Sequence, residues 1–373
     1  MIKHLHIVSW DIPYPANYGG VIDVYWTLFH LHKAGVQITL HCFQYGARGP
    51  QHQLETLCRK VHYYRRETGL KGLSLSLPYI VSSRQDTQLV FNLTVDSDPI
   101  LFEGIHTTFL LNSPELANRI KLVRPQNIEH EYYAQLATNS PWSLAKIYYG
   151  LESMLLRHYE KRLKSAQAFV TVAKQDTAFF ELKYPNAAHC YIPSFQSNQN
   201  VCSVVGKGKY HLYHGNLSVT ENIRSVKFLV DEVFAGTSHR LIIAGKDPTT
   251  EMLAMQTDFI QVIANPDDAA LHQLIQEAHV NVLPSFQTSG LKLKLLHALY
   301  VGRFCLVNED MLVGTGLDAT VVVANDAVSM RNAISQLSAA SFTEHDAALR
   351  KETLRPYDVV KNALRLIEFI GSL

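Results

Sequence analysis

Apolar residues in this chain fall in short, nearly continuous runs separated by amphipathic stretches, and the alternation persists almost from end to end. The run HLHIVSW at residues 4–10 predicts a strand, followed by a Pro/Gly loop at 11–20 and a helix from about Val21 to Lys33. Val21, Val24, Tyr25, Leu28 and Leu31 fall on one stripe of that helix, the spacing of a helix with one buried face. A second strand is predicted at Val36–Phe43. Apolar strands joined through a helix imply a parallel sheet with a right-handed crossover. The same reading places strands at Lys60–Tyr64, Pro99–Phe102, Lys121–Arg124 and Ala168–Val172, with a long helical stretch over Pro141–Ser165.

The segment Pro193–Lys209 is polar, carries Gly and Ser and lacks periodicity, so it reads as a linker. A second series then follows: strands at Tyr210–His214, Arg240–Ala244, Phe259–Ile263, Val280–Leu283 and Phe304–Val307, and a helix over about Asn222–Phe234. The expected fold class is α/β, two doubly wound Rossmann-like domains facing a cleft. The first domain spans residues 1–195 and the second residues 196–356. Tyr357–Phe369 has the periodicity of a final amphipathic helix within residues 357–373.

At 373 residues the chain is long for one domain, and 47% hydrophobic residues supply ample core. A net charge of +1 argues against binding nucleic acid through bulk counterion release. No run of eighteen apolar residues exists, and the N-terminus reads as a strand and not as a signal peptide. Five scattered cysteines without CxxC spacing fit reduced thiols, and a cytoplasmic location is expected. Eighteen histidines invite a metal, yet no HxxxH, HExxH or Asp-x-Asp pattern occurs, so none is expected.

The richest segment for chemistry is Leu283–Cys305, LPSFQTSGLKLKLLHALYVGRFC. A strand runs through Pro284-Ser285 and a polar loop to Gly290 and a helix, with Lys292 and Lys294 at its start. A helix N-terminus already carries positive partial charge and unpaired N–H groups, so two ammonium groups there suggest an anion site suited to a diphosphate. The alternative is an outward-pointing Lys pair on a helix buried through its leucines. The segment resembles the donor-binding loop and helix of retaining glycosyltransferases of the GT-B fold, in the large glycosyltransferase family four. There Pro-Ser precedes a Glu-Gly pair, with a second Glu eight residues after the first. Laid on this chain those two acids fall on Ser289 and His297, with Gly290 and Ala298 in register.

The resemblance extends to other segments and implies roles for them. Gly19-Gly20, at the start of the first helix, would lie beside the donor phosphates, where glycine permits close backbone approach. The run Arg124–Tyr133 resembles the family segment that carries a catalytic-site His; Gln126 stands at that position, and His130 is the candidate substitute. Glu103 and His106 close the strand Pro99–Phe102 and could bind an acceptor hydroxyl, or merely cap it. In the second domain Asn216 replaces an Arg of the family and Glu221 falls where a Lys is usual, leaving Lys292, Lys294 and Lys246 as compensating cations. Gly245-Lys246 would line the nucleotide base pocket. The final helix would cross back to the first domain.

The implied activity is metal-independent transfer of a sugar, a hexose in the expected case, from a nucleotide-diphosphate donor. It would proceed with retention, to a glycan, lipid-linked or polysaccharide-precursor acceptor, with the nucleotide sugar as co-substrate and no cofactor. A second reading is a catalytically degenerate glycosyltransferase-like binding or scaffold protein, on the strength of Gln126, Asn216, Ser289 and His297. A third, a nucleotide-sugar epimerase, calls for carboxylates, of which Glu103, Glu129 and Glu131 are at hand. The stretch Leu144–Leu163 admits peripheral docking on an anionic membrane, but the interspersed Glu152, Arg157, Glu160 and Lys161 favour an ordinary solvated face.

Overall fold

A computed structural model describes residues 2–288 and 292–373, so the expectations placed on Ser289 and Gly290 lie outside the described residues. The chain divides into two compact units: the stretch up to Ser197 joined by Val359–Leu373, and Asn198–Asp358.

The first unit contains β1 (His4–Ser9), β2 (Gln37–Gln44), β3 (Lys60–Arg65), β4 (Ile100–Glu103), β5 (Lys121–Arg124), β6 (Ala168–Thr171) and β7 (Ala188–Tyr191). They form one parallel sheet in the order β3-β2-β1-β4-β5-β6-β7. The central strands β4 (ILFE), β5 (KLVR) and β6 (AFVT) are buried at every position, which is why their apolar residues stand next to one another rather than alternating. β7 is half-buried throughout and carries no such run, and the sequence reading missed it. The stretch expected as one helix over 141–165 is a helix at Leu144–Tyr159 followed by a 3-10 turn at Glu160–Ser165. Ser143 starts that helix by accepting the Lys146 N–H, the usual N-cap device.

The second unit contains β8 (His211–Asn216), β9 (Leu241–Lys246), β10 (Ile260–Ala264), β11 (Val280–Val282), β12 (Phe304–Val307) and β13 (Val322–Val323). Its parallel sheet runs β10-β9-β8-β11-β12-β13, so both units share the doubly wound 3-2-1-4-5-6 pattern of strand order. Much of the expected linker belongs to this unit. Cys202 N–H bonds the carbonyl of Tyr300 (2.8 Å), Gly206 bridges Phe342, and Gly208 N–H reaches His279 Nδ1 (3.0 Å).

The final helix, Val359–Gly371, belongs to the first unit. Val359, Ala363, Leu366, Ile367 and Ile370 enter the same core cluster as Leu5, Ile38 and Val170. Each of the larger side chains contributes roughly 1.5–3 kcal/mol of transfer free energy. Arg365 fixes the helix further by donating to the carbonyl of Tyr191 (3.3 Å).

Candidate active site

In the second unit the strand order reverses between β8 and β11, and ligands of such sheets gather outside the carboxyl ends of the strands at that point. β8 ends in His214-Gly215-Asn216, and β11 runs on through Leu283-Pro284-Ser285 toward the helix Leu293–Val301. Lys294, in the first turn of that helix, reaches back to the β8 side. Its Nζ donates to Asn222 Oδ1 (2.6 Å) and to the hydroxyl of Tyr213 (3.2 Å), and lies over the Tyr213 ring. Lys292, at the N-cap, donates to the carbonyl of Gln287 (2.7 Å).

Both ammonium groups sit at the positive end of a helix dipole, which disfavours a cation there. Burial pushes Lys294 down to about 8, with Glu221 opposing, and burial and the neighbouring Lys294 push Lys292 down to about 8, with Asp310 opposing. A bound dianion would reverse that shift, because an opposite charge favours the protonated form. His297 lies in the same helix, its ring 6.1 Å from His214 and 6.0 Å from His272; burial first, then His272, hold it near 4, so it is neutral. His214 is likewise held well below its usual range by burial, and its Nε2 has no partner among the described residues.

The loop residues beside these cations have defined local tasks. Asn216 Oδ1 accepts from the backbone N–H and hydroxyl of Ser218 (3.0 and 2.7 Å), an Asx turn that shapes the exit of β8. Gly245 is required by packing, since a Cβ there would lie 1.7 Å from the carbonyl oxygen of Gly215. Lys246 ends β9, partly exposed, beside Asn216, its register partner.

In the first unit β4 and β5 pair Glu103 with Arg124 in register. Arg124 is wholly buried, ion-paired to Asp23 of the helix Gly19–Lys33 and 3.8 Å from Glu103. Gln126 joins the three: its Nε2 donates to Asp23 Oδ2 (3.0 Å) and Glu103 Oε2 (3.2 Å). Asp23 also accepts the N–H of Phe195 (2.6 Å), and the Arg124 guanidinium lies over the Phe195 ring. Burial, then Asp23, push Glu103 up to about 8, with Arg124 opposing. Sequence reasoning missed Asp23 and Arg124 as a pair. The available signal was an acid within the first turns of a helix that is buried on more than its apolar stripe, and an Arg closing a buried strand.

Gly20 lies where a Cβ would meet Trp10 Cζ2 at 2.5 Å, while Gly19 faces open space. His106 stacks at a tilt on the same Trp10 (5.4 Å between rings), and burial holds it neutral. His130 is placed apart from Gln126: its Nδ1 is 2.7 Å from Glu160 Oε1, and Glu160 also pairs with Lys183. The structure thus joins Gln126 with Glu103, and His106 with Gly20 through Trp10. A cluster of His6, Asp96 and Asp98 has metal-ligand spacing, but it lies where β4 begins, at the opposite edge of the sheet, and Arg119 already pairs with Asp96 (3.2 Å).

Residues 208–340 match the profile of the family described as glycosyl transferases group 1. The chain is 25% identical over 347 residues to an uncharacterized 44.6 kDa protein in the cps region of Klebsiella pneumoniae, covering 86% of this chain and 87% of that one. Among solved structures, the sucrose-phosphate synthase of Thermosynechococcus elongatus superposes with a TM-score of 0.68 at 15% identity, over 99% of this chain and 98% of that one. The UDP-forming α,α-trehalose-phosphate synthase of Burkholderia vietnamiensis gives 0.63 at 10% identity, over 99% and 100%. No helix among the described residues is long and apolar enough to cross a membrane. The chain has the GT-B fold, and over residues 208–340 it resembles the glycosyl transferases group 1 family.

Proposed function

We propose that the protein transfers a sugar, a hexose, from a nucleotide-diphosphate donor with retention of anomeric configuration, without a metal. The observation that carries this reading is Lys294: a lysine at a helix N-terminus and a sheet switch point, with neutral oxygens as its hydrogen-bond partners among the described residues. A donor diphosphate supplies the negative charge that this position lacks. Lys292 adds a second positive charge, and Lys246 and Gly245 border the nucleotide. Ser289 and Gly290 belong to the same donor loop by resemblance.

The acceptor is a glycan, lipid-linked or polysaccharide-precursor alcohol, a reading supported by the relative encoded in a cps region. The leaving diphosphate accepts the acceptor proton in the front-face route, so no protein base of high proton affinity is needed. That suits a donor site whose imidazoles His214 and His297 are held neutral. Five cysteines, none in a disulfide, accord with work in a reducing cytoplasm.

A second reading, a binding protein that has lost transfer, draws on one observation. Both amide hydrogens of Gln126 are taken by Asp23 and Glu103, so that side chain offers a substrate no donor. One experiment separates the two readings. The protein and Lys294→Ala are titrated with UDP-, GDP-, ADP- and dTDP-sugars, and slow donor hydrolysis is followed by NMR of the released anomer. Tight binding of one donor with α-to-α or β-to-β release, lost in the variant, supports retaining transfer. Binding with no turnover in the presence of an acceptor panel supports the degenerate reading, and no binding at all overturns both.

A further inference from the structure

The helix Leu144–Tyr159 buries one side and leaves the other bare. On its inner side the Glu152 carboxylate accepts the backbone N–H groups of Tyr79 (3.0 Å) and Ile80 (2.9 Å), Ser153 donates to the carbonyl of His130 (2.7 Å), and Leu156 is fully buried. On its outer side Leu144, Ile147, Leu151 and Met154 are 86, 49, 56 and 70% exposed. Their spacing of three, four and three residues puts them on one stripe. The adjoining loop adds Leu70, Leu73 and Leu75, which are 87, 57 and 102% exposed. Tyr79 holds that loop beside the helix: its hydroxyl accepts the N–H of Gly69 (3.0 Å) and its ring meets Tyr148.

The exposed charges of residues 141–165 have one sign, while Glu67 before the loop and the exposed Glu131 on the neighbouring helix Glu129–Asn139 are the nearby acids. Between residues 141 and 165 the acids are Glu152 and Glu160. Both are buried, Glu152 under the helix and Glu160 between His130 and Lys183. Arg157, Lys161, Arg162 and Lys164 are exposed, as is Lys71 on the loop. The expectation of an ordinary solvated face rested on Glu152, Arg157, Glu160 and Lys161 being interspersed, and it is corrected: the two cations are exposed, but neither acid reaches the surface.

We propose that this face docks on an anionic phospholipid bilayer, with the apolar stripe and the loop leucines at the acyl boundary and the lysines and arginines at the headgroup phosphates. A second copy of the chain fits less well, because a two-fold contact through this face would bring like cations together. The surface is separate from the residues assigned to donor binding, so docking and donor affinity are measurable independently.

The test is co-sedimentation of the full chain with phosphatidylcholine vesicles, with and without phosphatidylglycerol, at low and high salt. Wild type should pellet with the anionic vesicles about tenfold more than with the neutral ones, and salt should weaken this. Leu144→Gln/Leu151→Gln/Met154→Gln should lower partitioning by about tenfold or more. Arg157→Glu/Lys161→Glu should abolish the preference for phosphatidylglycerol. All five positions are exposed, and an unchanged unfolding midpoint and donor affinity would show that the variants are intact. Equal pelleting of wild type and variants overturns the proposal, as does failure of wild type to bind anionic vesicles. A wild-type dimer that the apolar variant turns into a monomer, with vesicle binding unaltered, assigns the face to a second copy and overturns it too.

Discussion

Lys294 donates to Asn222 Oδ1 across 2.6 Å, tying the helix after β11 to the helix after β8 through a neutral partner. A cation held this way costs folding free energy when no anion is bound. Its proton affinity is lowered toward 8, so the cost is fully present below pH 8 and vanishes as pH rises past the unfolded value near 10.5. Lys294→Met should therefore be more stable than wild type at pH 7, on the order of 2 kcal/mol, while losing donor binding. Chemical denaturation at pH 7 and pH 10 checks this; a variant less stable than wild type at pH 7 would count against the anion site.

The Asp23–Arg124–Glu103 cluster makes a different prediction. Glu103 is raised toward 8, so its burden on the folded state is absent below about pH 4.5 and grows as pH rises to 8. Glu103→Gln should match wild type near pH 4.5 and exceed it at pH 8, on the order of 1–3 kcal/mol. Arg124→Met should instead lose about 3–5 kcal/mol, because it strands Asp23 in the core. Urea midpoints of the two variants should therefore move in opposite directions at pH 8.

Three imidazoles in the first sheet set the acid limit of the fold. His6 bonds Asp96 (3.0 Å) and His41 (2.9 Å), and His41 bonds the hydroxyl of Tyr64 (2.8 Å), which accepts from Asn92 (2.9 Å); Asn92 also meets His62 (3.1 Å). One neutral tautomer set satisfies the whole chain: His6 Nε2–H to Asp96, His41 Nε2–H to His6 Nδ1, Tyr64 O–H to His41 Nδ1. Burial holds His6, His41 and His62 below 6.5, so the unfolded chain takes up protons first as pH falls. The contribution of these imidazoles should be complete above pH 6.5 and decline below it, by up to about 1.4 kcal/mol per pH unit for each buried one. In a Glu103→Gln background, which removes the opposing titration of Glu103, a urea midpoint unchanged between pH 7 and pH 5 would contradict this.

Two glycines should respond unequally to alanine. At Gly20 the obstacle is the edge of a side chain, Trp10, and repacking should hold the loss to about 1–3 kcal/mol. At Gly245 the obstacle is a backbone carbonyl in the neighbouring strand, which cannot yield without breaking the sheet. Gly245→Ala should fail to give soluble protein under conditions where Gly20→Ala does.

The architecture was legible because parallel strands buried on both faces leave apolar runs such as Ile7–Val8, Leu101–Phe102 and Ile242–Ala244, and helices between them leave a 3.6-residue stripe. β7 escaped because a half-buried edge strand has neither signal. Lys292 and Lys294 could be singled out since two cations at a helix start are locally anomalous. The Asp23–Arg124–Gln126–Glu103 cluster could not be assembled, because its members are brought together by pairing across β4 and β5 and by packing of a helix more than a hundred residues away in sequence. The apolar face of Leu144–Tyr159 was hidden for a related reason. Composition showed two glutamates, and only tertiary contacts reveal that both point inward.

The helix Val359–Gly371 gives the chain an unusual order of completion during synthesis. The second unit is one contiguous segment, Asn198–Asp358, whereas the first, begun earlier, lacks part of its core until Val359–Leu373 has been made. Vectorial synthesis would then finish the later unit before the earlier one, and the nascent first unit must wait, with Leu5, Ile38 and Val170 uncovered on that face. Chain truncated after Asp358 should therefore show a first unit open to protease beside a resistant second unit, and restoring Val359–Leu373 should close it.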